Sequence, residues 1–287
     1  MECDEKILRL EKIAFSYGLK RNLDDISLEA GRGELIGLMG PNGSGKTTLM
    51  RCINGLLHIQ GGIIYLDGGD LQQMKVAEIA RICAGIPADV PDDFHLSVKE
   101  YVTLGRYPFV KNYWWEGKED EEIVSRALEE FHVTALSGRK LSEVSSGEKA
   151  RVLLAKGVVQ QPRIMLVDEP SAHLDLKYKL QVMESLRDLS RKGVTVITAS
   201  HDINLLSKYC DKVLLMSRGR IVSHGKPCDV INEASIQDVY EVEVTIVRTD
   251  GQVFVLPLRS WDKDGGMNGK SSDWTSPAGQ NGLGAGY

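Results

Sequence analysis

The chain has 287 residues, 42% of them hydrophobic and 26% charged, with a formal net charge of −5. This composition is typical of a globular protein of about two domains and excludes bulk disorder. The acidic balance, without a block of Lys and Arg, argues against a nucleic-acid-binding protein, and no apolar run is long enough to cross a bilayer by itself.

The pattern of residues in the N-terminal part of the chain predicts two antiparallel strands, over residues 7–15 and 26–28, followed by a glycine turn. Further on, short runs rich in Val, Ile and Leu predict strands buried on both faces. They cover residues 35–39, 164–167, 194–199 and 213–216, and the last of them forms a hairpin with residues 221–222. Strands that alternate with helices indicate a parallel sheet covered by helices.

Two stretches between these strands are predicted to be helical. Apolar residues recur at steps of three or four from Leu176 to Leu189, which predicts a helix that ends near Gly193. Residues 97–160 also have a helical pattern without a convincing strand, so we expect a helical subdomain inserted into an α/β core.

The predicted organisation is one domain over residues 1–245, an extension over residues 246–264, and a tail over residues 265–287. The tail is rich in glycine and carries a single branched aliphatic residue, Leu283, so we expect it to be disordered. No role is predicted for the region after about Val247.

The loop after the strand at residues 35–39 fits the phosphate-binding pattern GxxxxGK[ST] and opens into a predicted helix over residues 48–53. Its predicted ATP-binding residues are Gly40, Pro41, Asn42, Gly43, Ser44, Gly45, Lys46, Thr47 and Thr48. Glycines let backbone N–H groups turn towards a phosphate, and the start of the helix adds positive potential. Lys46 is expected to reach the β- and γ-phosphate oxygens, and the Thr47 hydroxyl to bind Mg²⁺.

The strand at residues 164–167 ends in two acids, Asp168 and Glu169. An acid in the first of these positions typically holds Mg²⁺ through water, so Asp168 is a predicted metal ligand. Glu169 is predicted to polarise the attacking water as a general base.

Upstream of this strand, Ser145, Ser146, Gly147 and Glu148 precede a predicted helix. At this spacing the segment resembles the LSGGQ signature of ATP-binding-cassette (ABC) ATPases, and the resemblance covers roughly residues 7–245. It implies an α/β P-loop NTPase fold with a RecA-like core, an antiparallel β subdomain and an inserted helical subdomain. It also implies that Ser145, Ser146 and Gly147 bind the γ-phosphate of an ATP held by a second copy of the chain.

Three more segments match this family. Residues 171–175 resemble the D-loop, which links the two ATP sites across a dimer. His201 matches the switch histidine that contacts the γ-phosphate, which adds it to Lys46 and Glu169 as a catalytic candidate. Tyr17 matches the aromatic residue that stacks on adenine.

The sequence departs from the family pattern in two places. Ser146 and Glu148 stand where the family usually has Gly and Gln, and the added charge of Glu148 would weaken ATP capture unless it points away. Ala88 stands where the family places a Gln that touches the Mg²⁺ shell. Asp89 is the nearest side chain that is able to join a metal's water shell, and we hypothesise that it partly substitutes; a loop that simply works more weakly is an equal alternative.

Residues 101–108, with Gly105, Arg106 and Pro108, resemble importer ATPases that serve the uptake of iron–siderophore, haem and cobalamin. An aromatic cluster follows, and packing inside the subdomain and a surface that faces a partner are equal alternatives for it. Its members are Phe109, Val110, Tyr113, Trp114 and Trp115.

The resemblance implies a homodimer that binds ATP and Mg²⁺ and works with an integral membrane permease, and indirectly with a substrate-binding protein. The chain would then lie at the cytoplasmic face of the membrane, and five scattered cysteines without a CxxC pair agree with a reducing compartment. Two other functions stay open: an ABC ATPase scaffold in iron–sulfur cluster assembly without a permease, and a different phosphate-loop enzyme such as a small-molecule kinase.

Overall fold

A computed structural model describes residues 6–88, 90, 95–110, 117–170, 174–249 and 251–260. The strands are β1 (Lys6–Tyr17), β2 (Lys20–Gly31), β3 (Leu35–Met39), β4 (Gly61–Leu66), β5 (Gly69–Asp70), β6 (Cys83–Ile86), β7 (Ile164–Asp168), β8 (Thr195–Ala199), β9 (Lys212–Ser217), β10 (Arg220–Gly225), β11 (Val242–Thr249) and β12 (Gln252–Ser260). The α-helices are α1 (Lys46–Ile53), α2 (Val76–Ile82), α3 (Val98–Thr103), α4 (Lys118–Glu130), α5 (Ser146–Val159), α6 (Leu176–Arg191), α7 (Ile203–Tyr209), α8 (Pro227–Val230) and α9 (Glu233–Tyr240).

The central sheet has the strand order β10-β9-β3-β8-β7-β6, in which only β10 runs antiparallel to its neighbour. Every residue of β3 and β8 is buried, because helices pack on one face of the central sheet and α1 packs on the other together with a second sheet. The predicted strands of this sheet are confirmed within one residue, and the β9–β10 hairpin is confirmed with a second arm that is longer than expected. Strand β6 was not predicted.

A second, antiparallel sheet has the order β2-β1-β4-β5. Buried residues alternate along β1 and β2, and Leu10 pairs with Leu28 across them. These side chains share a core with α1 and with one face of the central sheet. The two predicted front strands are confirmed and are longer than expected, whereas β4 and β5 were not predicted.

The described part of residues 97–160 consists of helices joined by turns, without a strand apart from an isolated bridge between Ser97 and Lys140. Helices α3, α4 and α5 pack around side chains that include Tyr101, Leu128 and Val152. The structure explains why Gly and Arg stand at positions 105 and 106. A side chain at Gly105 would lie 2.3 Å from the Lys156 carbonyl oxygen, and buried Arg106 donates to Asp120 at 2.7 Å and to the Val159 carbonyl at 2.8 Å.

The chain ends in a hairpin of β11 and β12 that packs on α9 and α7. The boundary expected at residue 245 falls inside β11, and Val244, Val253 and Val255 belong to the same core as the central sheet. The tail over residues 265–287 lies outside the described residues. Within the described residues, no helix is both long and apolar enough to span a membrane.

Candidate functional site

The phosphate-binding loop (residues 40–47) joins the end of β3 to the start of α1 and depends on glycine at three positions. The φ values of Gly40, Gly43 and Gly45 are 145°, 76° and 108°. Residues that carry a Cβ atom rarely adopt such positive φ values. A Cβ at Gly40 would lie 2.2 Å from the Met216 carbonyl oxygen, and one at Gly45 would lie 2.9 Å from that of Asn22. Gly40 is therefore packed against β9 and Gly45 against β2 with no room for a side chain, whereas Gly43 has open space around it and is needed for its φ.

Lys46, the first residue of α1, folds its side chain back into this loop. Its Nζ donates to the carbonyl oxygens of Gly40 at 2.7 Å and Pro41 at 3.2 Å, and the side chain is buried. Burial lowers the pKa of Lys46, while Glu169 and Asp168 act in the opposite direction. An ammonium group held by neutral carbonyls beside two acids is placed to bind an anion.

The other predicted residues of the loop differ in their exposure. Asn42 and Gly43 are exposed, Pro41, Thr47 and Thr48 are half-buried, and Ser44 is buried. The Ser44 hydroxyl has no hydrogen-bond partner among the described residues, and the same holds for the buried Oδ1 of Asp168. Buried polar atoms are costly without a partner, so both atoms fit a site that is completed by a ligand.

These residues also fit the expected metal. The described residues hold no group of three or more His, Cys, Asp or Glu side chains that could bind a metal alone. One carboxylate oxygen of Asp168 and the Thr47 hydroxyl are hard oxygen donors, and Mg²⁺ is usually held by one or two carboxylates together with substrate phosphates and water. The donor set therefore suits a metal that arrives with a nucleotide.

Asp168 and Glu169 are brought to the loop by the order of the central sheet. Asp168 ends β7 and pairs with Ala199 of β8, and the Glu169 N–H donates to the Ala199 carbonyl at 3.0 Å. Glu169 has a φ of 46°, a left-handed conformation that is uncommon for this residue type and is often found at functional sites.

The Glu169 carboxylate contacts His201, which follows β8. Oε1 of Glu169 lies 3.0 Å from Nε2 of His201, with 19% of the Glu169 side chain and 48% of the His201 side chain exposed. Burial raises the pKa of Glu169, the charges of His201 and Lys46 lower it, and Asp168 raises it. A carboxylate with a raised pKa is a better proton acceptor, and this geometry can orient a water molecule.

Tyr17, at the end of β1, is 44% exposed, and its ring contacts Phe15 edge-on with centroids 4.8 Å apart. The exposed ring offers a surface for stacking. Pro87 and Ala88 follow β6 and are exposed. Asp89 and residues 171–173 of the predicted D-loop lie outside the described residues, as do Tyr113, Trp114 and Trp115.

Ser145 is the N-cap of α5 and forms a capping box with Glu148. Both the N–H and the hydroxyl of Ser145 donate to Oε2 of Glu148, at 2.8 Å each, and these bonds lower the pKa of Glu148. The Glu148 carboxylate therefore does not point away from Ser145 but binds it directly.

Exposed Ser146 and buried Gly147 form the first turn of α5. A Cβ at Gly147 would lie 2.9 Å from ring atoms of Tyr178 in α6. Glycine at this position therefore has a packing reason of its own, besides the phosphate contact that the sequence suggested.

Sequence reasoning missed Tyr240, the last residue of α9. Its ring lines a cleft of about 510 Å³ together with Pro41, Asn42 and Gly43 of the phosphate-binding loop. No motif marks this tyrosine, because its position depends on how α9 packs. A larger cavity of about 990 Å³ is lined by Lys12, Glu29 and His224, and none of the predicted site residues lines it.

Comparisons with known proteins agree on one family. A family model described as ABC transporter matches residues 23–172. YvrA of Bacillus subtilis, an uncharacterized ABC transporter ATP-binding protein, is 37% identical over 240 residues, which cover 83% of this chain and 54% of YvrA. The chain thus spans about half the length of that relative.

HmuV of Bordetella avium, a hemin import ATP-binding protein, is 34% identical over 260 residues, which cover 87% of this chain and 98% of HmuV. Among solved structures, an inward-facing ABC transporter of the metal-chelate type has a TM-score of 0.77 at 21% identity. That match covers 88% of this chain and 98% of the other and supports the fold.

Proposed function

The chain belongs to the ABC transporter family, and from this premise we propose that it is the ATP-hydrolysing subunit of an importer for haem or a related metal chelate. The observation that carries the hydrolytic part is the Glu169 carboxylate, 3.0 Å from His201 and within the electrostatic reach of Lys46 and Asp168. The substrate class is supported by the hemin import relative.

The phosphate-binding loop would bind the triphosphate of ATP. Lys46 would exchange its bonds to the Gly40 and Pro41 carbonyls for bonds to β- and γ-phosphate oxygens, and the ring of Tyr17 would stack on adenine. Thr47 and Asp168 would hold Mg²⁺, which neutralises charge on the phosphates when it is bound. The unpartnered Oδ1 of Asp168 supports this role.

Hydrolysis requires a water molecule aligned with the γ-phosphate. Glu169 would accept a hydrogen bond from this water and polarise it, because burial gives its carboxylate a raised pKa. His201 would hold the carboxylate through Nε2 and contact the γ-phosphate. The left-handed backbone conformation at Glu169 sets the direction in which its side chain leaves the backbone.

A second copy of the chain would complete each site with Ser145, Ser146 and Gly147. The start of α5 would offer N–H groups to an anion, and the Ser145 hydroxyl would exchange its hydrogen bond to Glu148 for one to the γ-phosphate. ATP binding would close the dimer and hydrolysis would open it, which drives the permease between two states. The chain would lie against the cytoplasmic face of the membrane through that permease.

The permease would dock where α2 meets the helical subdomain. Arg81 of α2 donates to the Pro108 carbonyl at 3.0 Å, and Arg106 and Arg81 both lie over the Phe109 ring. Val76 is 82% exposed and Tyr107 is 67% exposed, so large apolar side chains face solvent on these two segments. Such a surface suits a short helix from a partner.

The central experiment compares Glu169→Gln with the wild-type protein. We expect the variant to bind ATP but to lose at least about 100-fold in ATPase rate, because Gln cannot accept the proton. Glu129→Gln, at an exposed position on α4, is the matched control and should hydrolyse ATP at the wild-type rate. Normal hydrolysis by Glu169→Gln would show that the base is assigned wrongly.

The importer assignment has a separate test. Growth on haem or on a metal chelate as the iron source should fail when the gene is deleted, and should return with wild-type protein but not with Glu169→Gln. Co-purification with a multi-spanning permease should accompany it. If growth is unaffected and iron–sulfur enzymes lose activity instead, the soluble scaffold is the correct function.

A further inference from the structure

Helix α5 is attached along its length to the β6 segment, which we define as residues 80–88 and 90. Near the start of α5, the Lys149 ammonium donates to the carbonyl oxygen of buried Val90 at 2.9 Å. Further along the helix, a Cβ at Gly157 would lie 2.7 Å from the Ile86 side chain, so the helix and the strand approach as closely as glycine allows. The helix and the loop after β6 are thus joined by close packing and by a hydrogen bond from a charged group.

The end of α5 is attached to the other end of the β6 segment. Gln160 directly follows α5 and is buried. Its side-chain amide donates to the carbonyl oxygens of Ala80 at 2.5 Å and Cys83 at 3.0 Å. Breaking either bond would leave a buried polar atom without a partner, which costs free energy. The β6 segment is therefore held to α5 at both of its ends.

The β6 segment leaves the central sheet beside the proposed metal ligand. Ile86 pairs with Val167 of the neighbouring parallel strand β7, and Asp168 is the next and last residue of β7. The chain after Ile86 therefore leaves the sheet level with Asp168. Ala88 follows there, and its methyl group can neither bind a metal nor form a hydrogen bond.

The other side of Lys149 is bonded to Ser145. The backbone N–H of Lys149 donates to the Ser145 carbonyl at 2.8 Å, as the first turn of α5 requires. One residue thus binds Ser145 through its backbone and the loop after β6 through its side chain.

We infer that Lys149 is a positioning residue that links the two ATP sites of the proposed dimer. Its ammonium holds the loop that leaves the sheet beside Asp168 of its own copy, and its backbone holds Ser145, which would bind the ATP of the other copy. A nucleotide that moves the loop therefore moves the Ser145 end of α5, since coupling is carried by packed and hydrogen-bonded groups of this kind. The inference rests on the proposed function, in which two copies share each site.

The test is Lys149→Met in a Glu169→Gln background, in which bound ATP is not hydrolysed. Sedimentation velocity gives the fraction of dimer at each ATP concentration. We expect the ATP concentration for half-maximal dimerisation to rise at least about tenfold, the usual effect of one hydrogen bond from a charged group. ATP affinity at a protein concentration too low for dimers should change less than about twofold, because Lys149 acts on the contact between copies.

Two further variants separate positioning from loss of charge or of folding. Lys156→Met is the matched control, because Lys156 lies on the same helix with its ammonium 6.0 Å from the Tyr101 ring centroid, and it should dimerise normally. Lys149→Arg keeps a donor and should restore dimerisation. Lys149→Gln gives the same readout as Lys149→Met if the latter does not fold.

A double-mutant cycle shows whether Lys149 acts through Ser145. Ser145→Gly removes the hydroxyl but keeps a residue that is tolerated before a helix. In that variant, adding Lys149→Met should weaken dimerisation by less than about threefold, because the contact that Lys149 positions is already lost. Additive effects, or normal dimerisation in Lys149→Met alone, would overturn the inference. If Ser145→Gly dimerises normally with ATP, the proposed shared site is wrong instead, so the two failures are distinguishable.

Discussion

At the scale of single residues, the buried charge of Lys46 affects both the stability of the fold and the binding of phosphate. Its ammonium is buried, its hydrogen bonds to the described residues go to neutral carbonyls of its own loop, and burial lowers its pKa despite two nearby acids. A buried charge without a full counter-charge costs stability. The same charge becomes favourable when phosphate oxygens replace the carbonyls, so binding and stability oppose each other at this residue.

The Lys46→Met substitution should therefore separate the effect of this charge on ATP binding from its effect on stability. We expect ATP affinity to fall by more than about tenfold, because a charged hydrogen bond is lost, while the free energy of unfolding stays equal or rises. Equilibrium nucleotide titration and urea unfolding measure the two quantities.

Lys156→Met is the matched control for this change. Lys156 lies in α5, and burial also lowers its pKa. It should show a similar stability change and unaltered ATP affinity. A large loss of stability in Lys46→Met alone would mean that the loop needs this ammonium in order to fold.

At the scale of elements, the start of α5 combines a helix cap with a proposed phosphate contact. The bonds from Ser145 hold the pKa of Glu148 below its ordinary value of 4.5. A carboxylate whose pKa is depressed in the folded state stabilises the fold above its unfolded pKa, and this stability is lost as the pH falls through its folded pKa.

Glu148→Gln should thus unfold at a lower temperature than the wild-type protein at pH 7, and the difference should shrink as the pH falls below 4.5. Thermal unfolding followed by circular dichroism across this range measures it. Glu129→Gln, on exposed α4, should show no comparable difference at pH 7. A difference for Glu148→Gln that grows towards acid pH would contradict the capping box as the cause.

A substitution at Gly147 tests how closely α5 and α6 pack against each other. Gly147→Ala should destabilise the protein by about 1–3 kcal/mol, because the new methyl group would lie 2.9 Å from the Tyr178 ring. Adding Tyr178→Ala should remove most of this effect in a double-mutant cycle measured by urea unfolding. Gly138→Ala, with open space around it, is the control; additive effects of the two changes would show that the ring is not the obstacle.

Some of these elements could be predicted from the sequence and others could not. The phosphate-binding loop was predictable, because a tight turn around a phosphate demands glycines at set positions before a helix. Strands β3, β7 and β8 were predictable, because burial on both faces requires unbroken apolar runs. Strand β6 was not, because it follows α2 without a turn and contains Ala84 and Gly85, which have little strand preference.

The contacts around the site were less accessible to sequence reasoning. The contact of Gly147 with Tyr178 joins two helices that are separated by β7, and the position of Tyr240 beside the phosphate-binding loop depends on the whole path of the chain. No local sequence pattern predicts that residues so far apart in the chain lie close together. The family resemblance predicted the roles of Ser145 and His201 but not that Glu148 would bind the Ser145 hydroxyl.

At the scale of the whole molecule, the proposed ATP hydrolysis requires two copies of the chain. The predicted phosphate contacts of Ser145 belong to the start of α5, where the described hydrogen bonds of Ser145 go to Glu148. The proposed hydrolytic groups Lys46, Asp168, Glu169 and His201 belong to other elements, at the start of α1 and at the ends of β7 and β8. A symmetric dimer would bring each α5 start to the other copy's phosphate-binding loop.

Complementation between two inactive variants tests this claim most directly. Lys46→Met disables the phosphate-binding loop and Ser145→Arg blocks the start of α5, so each variant alone should hydrolyse almost no ATP. In an equal mixture, half of the dimers would be mixed and each would hold one intact site, so the ATPase rate should return to about a quarter of the wild-type value. A mixture as inactive as its components, or a monomeric Ser145→Arg protein with the wild-type rate, would contradict the shared site.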